Sequence, residues 1–150
     1  MSYQEKNVTV SLVSHLLILG YYLFHWFQMY QEGGLVMDRV FRLWAIVIIA
    51  TILVNILASI LTNIVLSIFH AVRTGGEKDE RFIEDERDKL ISLKGTRISY
   101  IAFSIGVLLA MLSFVVGQPA LVMFSLLIFS SMAGEILGDI AQIHLYRRGI

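Results

Sequence analysis

A chain of 150 residues with 57% hydrophobic content and a mean hydropathy of +0.73 exceeds the apolar share of soluble domains, which is about 45–50%, and reads as a single membrane domain over residues 1–150. Lys and Arg balance Asp and Glu at 12 each, so there is no basic footprint for nucleic acid. The absence of Cys excludes disulfides, thiolate metal sites and Cys nucleophiles.

A transmembrane helix needs about 20 mostly apolar residues. Four stretches qualify, at about residues 8–30, 43–69, 98–116 and 120–145. The first is too long for a signal-peptide core of roughly 7–15 residues and lacks a small-residue cleavage site, so it is kept as a span. The connection between the first two spans is short, and Gly117-Gln118-Pro119 marks a tight hairpin between the last two, because Gly and Pro end one helix and begin the next.

The central connection differs from both. Residues 77–97 hold 13 of the 24 charged side chains (12 Lys and Arg, 12 Asp and Glu). At 100° per residue, Phe82, Ile83, Leu90, Ile91 and Leu93 share one half of a helix, and Arg81, Glu84, Asp85, Asp88 and Lys89 share the other. This pattern predicts an amphipathic helix over about 77–97 at the membrane surface, with room for a bend at Gly95. Glu86, Arg87, Lys94 and Arg97 fall in the apolar half, where they must snorkel to headgroups or meet charges from another span.

With an even number of spans, both termini and the central segment share one side. That side carries ten of the twelve Lys and Arg, against Arg39 and Arg42 opposite, which predicts cytoplasmic termini. Tyr21, Tyr22, Trp26, Tyr30 and Trp44 gather at the outer ends of the first two spans, as an aromatic belt does.

The run Asp85-Glu86-Arg87-Asp88-Lys89-Leu90-Ile91-Ser92-Leu93-Lys94-Gly95-Thr96-Arg97 between two helical hairpins, with Tyr146-Arg147-Arg148-Gly149 after the last span, resembles a signature of small prokaryotic four-span membrane proteins of unknown function. Their pattern is D-E-R-D-x-x-I-x-x-K-x-x-R. The resemblance implies a cytoplasmic (inner) membrane location and a four-span architecture. It carries no catalytic residue, substrate or cofactor.

Polar residues within the spans are the remaining signal. Ser131, Glu135, Asp139 and Gln142 lie on one stripe of the fourth span, beside a stripe of small residues, Ser130, Gly134, Gly138 and Ala141, that permits close helix approach. Asn55, Ser59, Thr62 and Asn63 form a stripe on the second span. Counting at about 1.5 Å per residue brings His15, Asn63, Glu135 and Asp139 toward one layer. There Asn and carboxyl groups serve as interhelical glue, with Asp139 answering Arg97 or Lys94, or else Glu135 and His15 bind and release a proton or cation. No metal-ligand spacing such as H-x-x-x-H accompanies them, so no metal is expected.

These observations predict an all-α fold, a four-transmembrane-helix bundle of two helical hairpins joined by a charged cytoplasmic amphipathic helix. The expected function is a non-enzymatic interaction or regulatory subunit acting through that charged segment, with the bilayer, a homo-oligomer or membrane complex, and a cytosolic protein as partners. No cofactor is expected. The alternative is a small oligomeric proton- or cation-coupled transporter or channel built on the Glu135 layer.

Overall fold

A computed structural model describes residues 3–74 and 86–148, and within them every side chain except those of 3, 58, 59, 61–63 and 65–74. Asp85 and the charged run before it, with the side chains of Ser59, Thr62 and Asn63, lie outside the described residues. The described residues form four helices: α1 (Tyr3–Gln31), α2 (Met37–Thr74), α3 (Glu86–Val115) and α4 (Ala120–Arg148). All four contain a segment long and apolar enough to cross a membrane. The fold is the all-α, four-helix bundle that the hydropathy pattern implies.

The two hairpins are built by local chemistry. α3 ends where Gly117 takes φ 94°, a left-handed conformation that costs a residue without a side chain little. Its N–H donates to the Phe114 carbonyl and the Gln118 N–H to the Ser113 carbonyl, satisfying orphan acceptors at the helix end. Pro119 follows and gives its carbonyl to the Val122 N–H, which opens α4. Between α1 and α2 the same freedom is used twice, at Gly33 and Gly34. Across that turn Arg39 donates to Glu32 at 2.7 Å, on the surface.

α4 is the hub. A third of its apolar segment is buried, against 6–17% in the other three helices, and it packs against each of them, while α2 and α3 make no substantial mutual contact among the described residues. α1 and α3 both run antiparallel to α4. The α3 interface is made by small residues: a Cβ added at Gly95 would strike the Gln142 side chain, one at Gly106 would strike Ser130, and one at Gly138 would strike Ser99 Oγ and lie 3.1 Å from the Gly95 carbonyl oxygen. Backbones this close pack through van der Waals contact that larger side chains would prevent.

α1 joins α4 and α2 through larger residues toward the end that carries the α1–α2 turn. Tyr22, Met29, Val40, Leu43, Val47, Ile128 and Met132 form one buried cluster. Tyr22 is a packing residue here, not a belt anchor: it is 3% exposed and its hydroxyl donates to the Ser125 carbonyl at 2.8 Å. The bond supplies the partner that a buried phenol requires.

The first part of α3 is helical, as the charge pattern suggested, but Glu86 to Arg97 continues into the third span without interruption. The helix is continuous through Gly95. That glycine admits the Gln142 side chain of α4, where a Cβ would collide with it.

Candidate functional site

The antiparallel α1 and α4 meet in three polar contacts stacked along their length. At the end that carries the N-terminus of α1, Arg147 Nε donates to Glu5 Oε1 at 3.3 Å, with the Glu5 side chain only 9% exposed. Toward the opposite end lies the Tyr22 to Ser125 bond. Between them, Asp139 Oδ2 accepts from Ser11 Oγ at 3.2 Å and lies 2.8 Å from His15 Nδ1.

The central contact defines the site. Asp139 and His15 are both buried, with side chains 9% and 6% exposed. A carboxylate at this depth is expensive unless it is paired, and here it gathers two groups from α1. An ionised Asp139 is an acceptor only, so beside it a neutral His15 ring carries its proton on Nδ1. The other nitrogen, Nε2, is buried and has no partner among the described residues.

The ring forms one wall of a cleft of about 320 Å³ that opens between α2 and α3 over the surface of α4. Glu135 and Ser131 line this cleft, with Thr51 and Trp44 of α2 and Phe103 of α3 as apolar or weakly polar neighbours. A second cleft of about 410 Å³ lies on the α3 side of the same carboxylate and takes in Ser99, Gln142 and Asp139. Glu135 is exposed, unlike Asp139 one turn further along. Counting about 1.5 Å per residue back from Arg147 places Glu135 about 18 Å inside that end of α4, near the middle of a bilayer whose apolar core is about 30 Å thick.

The expected layer is therefore partly assembled. His15 and Asp139 are brought into direct contact, and Glu135 borders the same ring across the cleft. Gln142 packs against Gly95 of α3. Asn55 is exposed and stays out of the layer, while Ser59 and Asn63 fall on undescribed side chains. The proposed answer to Asp139 is corrected: its partner is His15, and Arg97 and Lys94 are exposed on α3 with no ion pair among the described residues. Gly134 and Gly138 face α3, as the small stripe requires.

Two contributors escaped the sequence reading. Ser11 lies one turn before His15, on the same face of α1, so helical spacing carried a signal for it. The complement of the α4 stripe on α3, Gly95, Ser99, Gly106 and Ala110, was legible as small residues recurring every four or seven positions. Among the described residues no three His, Asp or Glu side chains converge on a point fit for a metal ion.

In the charged motif, Glu86, Arg87, Lys94 and Arg97 are exposed and Asp88 is half-buried. Arg87 reaches the Tyr146 carbonyl at 3.5 Å, a contact at the limit of hydrogen bonding. No family model, no curated protein and no solved structure matches the chain.

Proposed function

We propose that the chain is a non-enzymatic subunit of a membrane assembly, in the inner membrane of a prokaryote with both termini in the cytoplasm, and that it acts by holding or regulating a partner. The observation that carries this reading is α3. One face of it packs on α4, and from Glu86 to Arg97 its charges take no ion pair with the rest of the bundle among the described residues. Charges of both signs held on a rigid helix at the membrane surface suit an acidic and basic partner surface better than they suit the bundle itself. The ten-to-two bias of Lys and Arg supports the orientation.

The full chain, extracted into lipid nanodiscs from its own membrane, should carry a cytosolic or membrane protein whose capture is lost on combined Arg87→Glu and Lys94→Glu substitution. Capture unaffected by that double charge reversal would refute the proposal.

A second reading, an oligomeric proton- or cation-coupled transporter, is favoured by Glu135. A carboxylate exposed at mid-span needs water or another protein surface beside it. Flux across proteoliposomes abolished by Glu135→Gln would support this reading, and flux indifferent to the substitution would remove it.

A further inference from the structure

Three features of the layer are unexplained by packing alone. Asp139 lies 2.8 Å from His15 Nδ1, and an ionised carboxylate there holds the proton of the neutral ring on Nδ1. The ring's other nitrogen is buried with no partner among the described residues, a rare and costly state for a polar atom. A second carboxylate, Glu135, lines the same cleft as the ring.

The geometry points to a proton-exchange site in which a protonated Glu135 carboxyl gives its proton to His15 Nε2 and later recovers it. On transfer the O–H bond of Glu135 breaks, an N–H bond forms at Nε2, and the products are a Glu135 carboxylate and a His15 imidazolium. The reverse step restores both neutral groups. Asp139 remains ionised throughout and acts as a positioning residue: it orients the ring, sets which nitrogen is free, and balances the imidazolium at 2.8 Å.

The cleft, at about 320 Å³, has room for a bridging water, which needs polar partners of the kind that Ser131, Glu135 and Thr51 provide. The charged groups facing His15 are Asp139 and Glu135, both from α4. The α2 wall of the cleft contributes Trp44 and Thr51 but no titratable group among the described residues, and α3 contributes Phe103, with Tyr100 in the neighbouring cleft. The ligand of this site is a proton. Its exchange gives the transport reading its ion, yet can be measured in a protein that carries no flux.

The test is ¹⁵N NMR of the full chain in lipid nanodiscs with labelled histidine, using His25→Gln, His70→Gln and His144→Gln together so that His15 is the one histidine observed. The neutral ring should carry its proton on Nδ1, and lowering the pH should protonate Nε2. Glu135→Gln changes an exposed side chain and should leave the Nδ1–H form intact while slowing proton exchange at Nε2 by about 10²-fold, the lower end of what a positioned acid or base contributes. Asp139→Asn should release the preference for Nδ1.

In the unsubstituted chain, a hydrophobic carbodiimide, which attaches to protonated carboxyls in apolar surroundings, should label Glu135 in a pH-dependent manner read by mass spectrometry. A neutral ring with its proton on Nε2, a ring that never becomes doubly protonated while the fold persists, or exchange unchanged by Glu135→Gln would each overturn the site. Glu135-dependent flux with any of those results would leave transport standing and the His15 step refuted. Exchange without flux would confirm the site and refute transport.

Discussion

Asp139→Ala strips the acceptor from two α1 donors and leaves His15 buried with Nε2 unpartnered among the described residues and Nδ1 in only a long 3.5 Å contact with Ser11 Oγ. Two magnitudes compete for the outcome. Interhelical hydrogen bonds in a membrane average about 0.6 kcal/mol each, so the two bonds taken as ordinary glue would be worth about 1 kcal/mol. Removing one member of a buried charged pair costs about 3–5 kcal/mol, because the other is stranded. With both side chains more than nine-tenths buried, the second mechanism governs His15→Ala, which strands the Asp139 carboxylate and should cost about 3 kcal/mol or more. Asp139→Ala leaves a neutral ring short of its acceptor and should cost about 1–3 kcal/mol. Their coupling should be about 1–3 kcal/mol, the double variant losing less than the sum of the singles. The measurement is reversible unfolding in mixed micelles, followed by helicity or by steric trapping, for all four corners of the cycle. A parallel cycle pairing Asp139→Ala with Arg97→Ala should be additive, since Arg97 is exposed on another helix. Additive losses for His15 and Asp139, or coupling in the Arg97 cycle, would refute the assignment of partners.

Gly138→Leu should weaken the α3 and α4 interface by about 3 kcal/mol or more, at or above the top of the usual range for overpacking, because even a Cβ there meets Ser99 Oγ and the Gly95 carbonyl; thermal stability in detergent reads it, and an unchanged midpoint would show the contact to be soft. Gly138→Ala combined with Ser99→Gly should recover part of the loss suffered by Gly138→Ala alone, since the colliding hydroxyl is gone. Tyr22→Phe should cost about 0.5–1.5 kcal/mol in the same assay, the net worth of its bond to the Ser125 carbonyl. Reporters fused after Gly76 and after Ile150 should both signal cytoplasm, and a signal from the opposite compartment at either point would overturn the orientation drawn from the Lys and Arg bias.

The helices and both hairpins were legible because they rest on local physics. Apolar length sets a span, and Gly117 with Pro119 sets a turn, without reference to the rest of the chain. Helix ends were less legible: α2 begins at Met37, six residues before the apolar run, because a helix continues through Asp38 and Arg42 once they can pair with each other on the surface at 3.1 Å. Depth was legible too. Counting along the spans placed His15 and Asp139 at one level, and they touch. What counting could not supply was azimuth, which depends on which helices are neighbours.

The rotation about α4 shows what this omission conceals. Taking Gly138 as the direction of α3, a step of about 100° per residue puts Gly134 and Ser130 within roughly 80° on one side, all in contact with α3. Asp139 lies about 100° the other way and, with Met132 and Ser125 beyond it, faces α1. Ser131 and Glu135 fall between, at roughly 20° and 60°. Ser131 therefore borders the face turned to α3, while Glu135 lies between the faces turned to α3 and α1. The sequence stripe that joined Glu135 to Asp139 is thus divided by the packing: one carboxylate is enclosed and paired, and the other is left in the gap between α2 and α3. A single turn of the helix separates a residue whose charge is satisfied within the chain from one left without an ion pair among the described residues. The same gap makes Glu135 available to water, to another copy or to a partner helix, and it keeps the residue on the wall that His15 closes. If the proposed exchange site operates, whatever covers the cleft should govern whether His15 can exchange its proton.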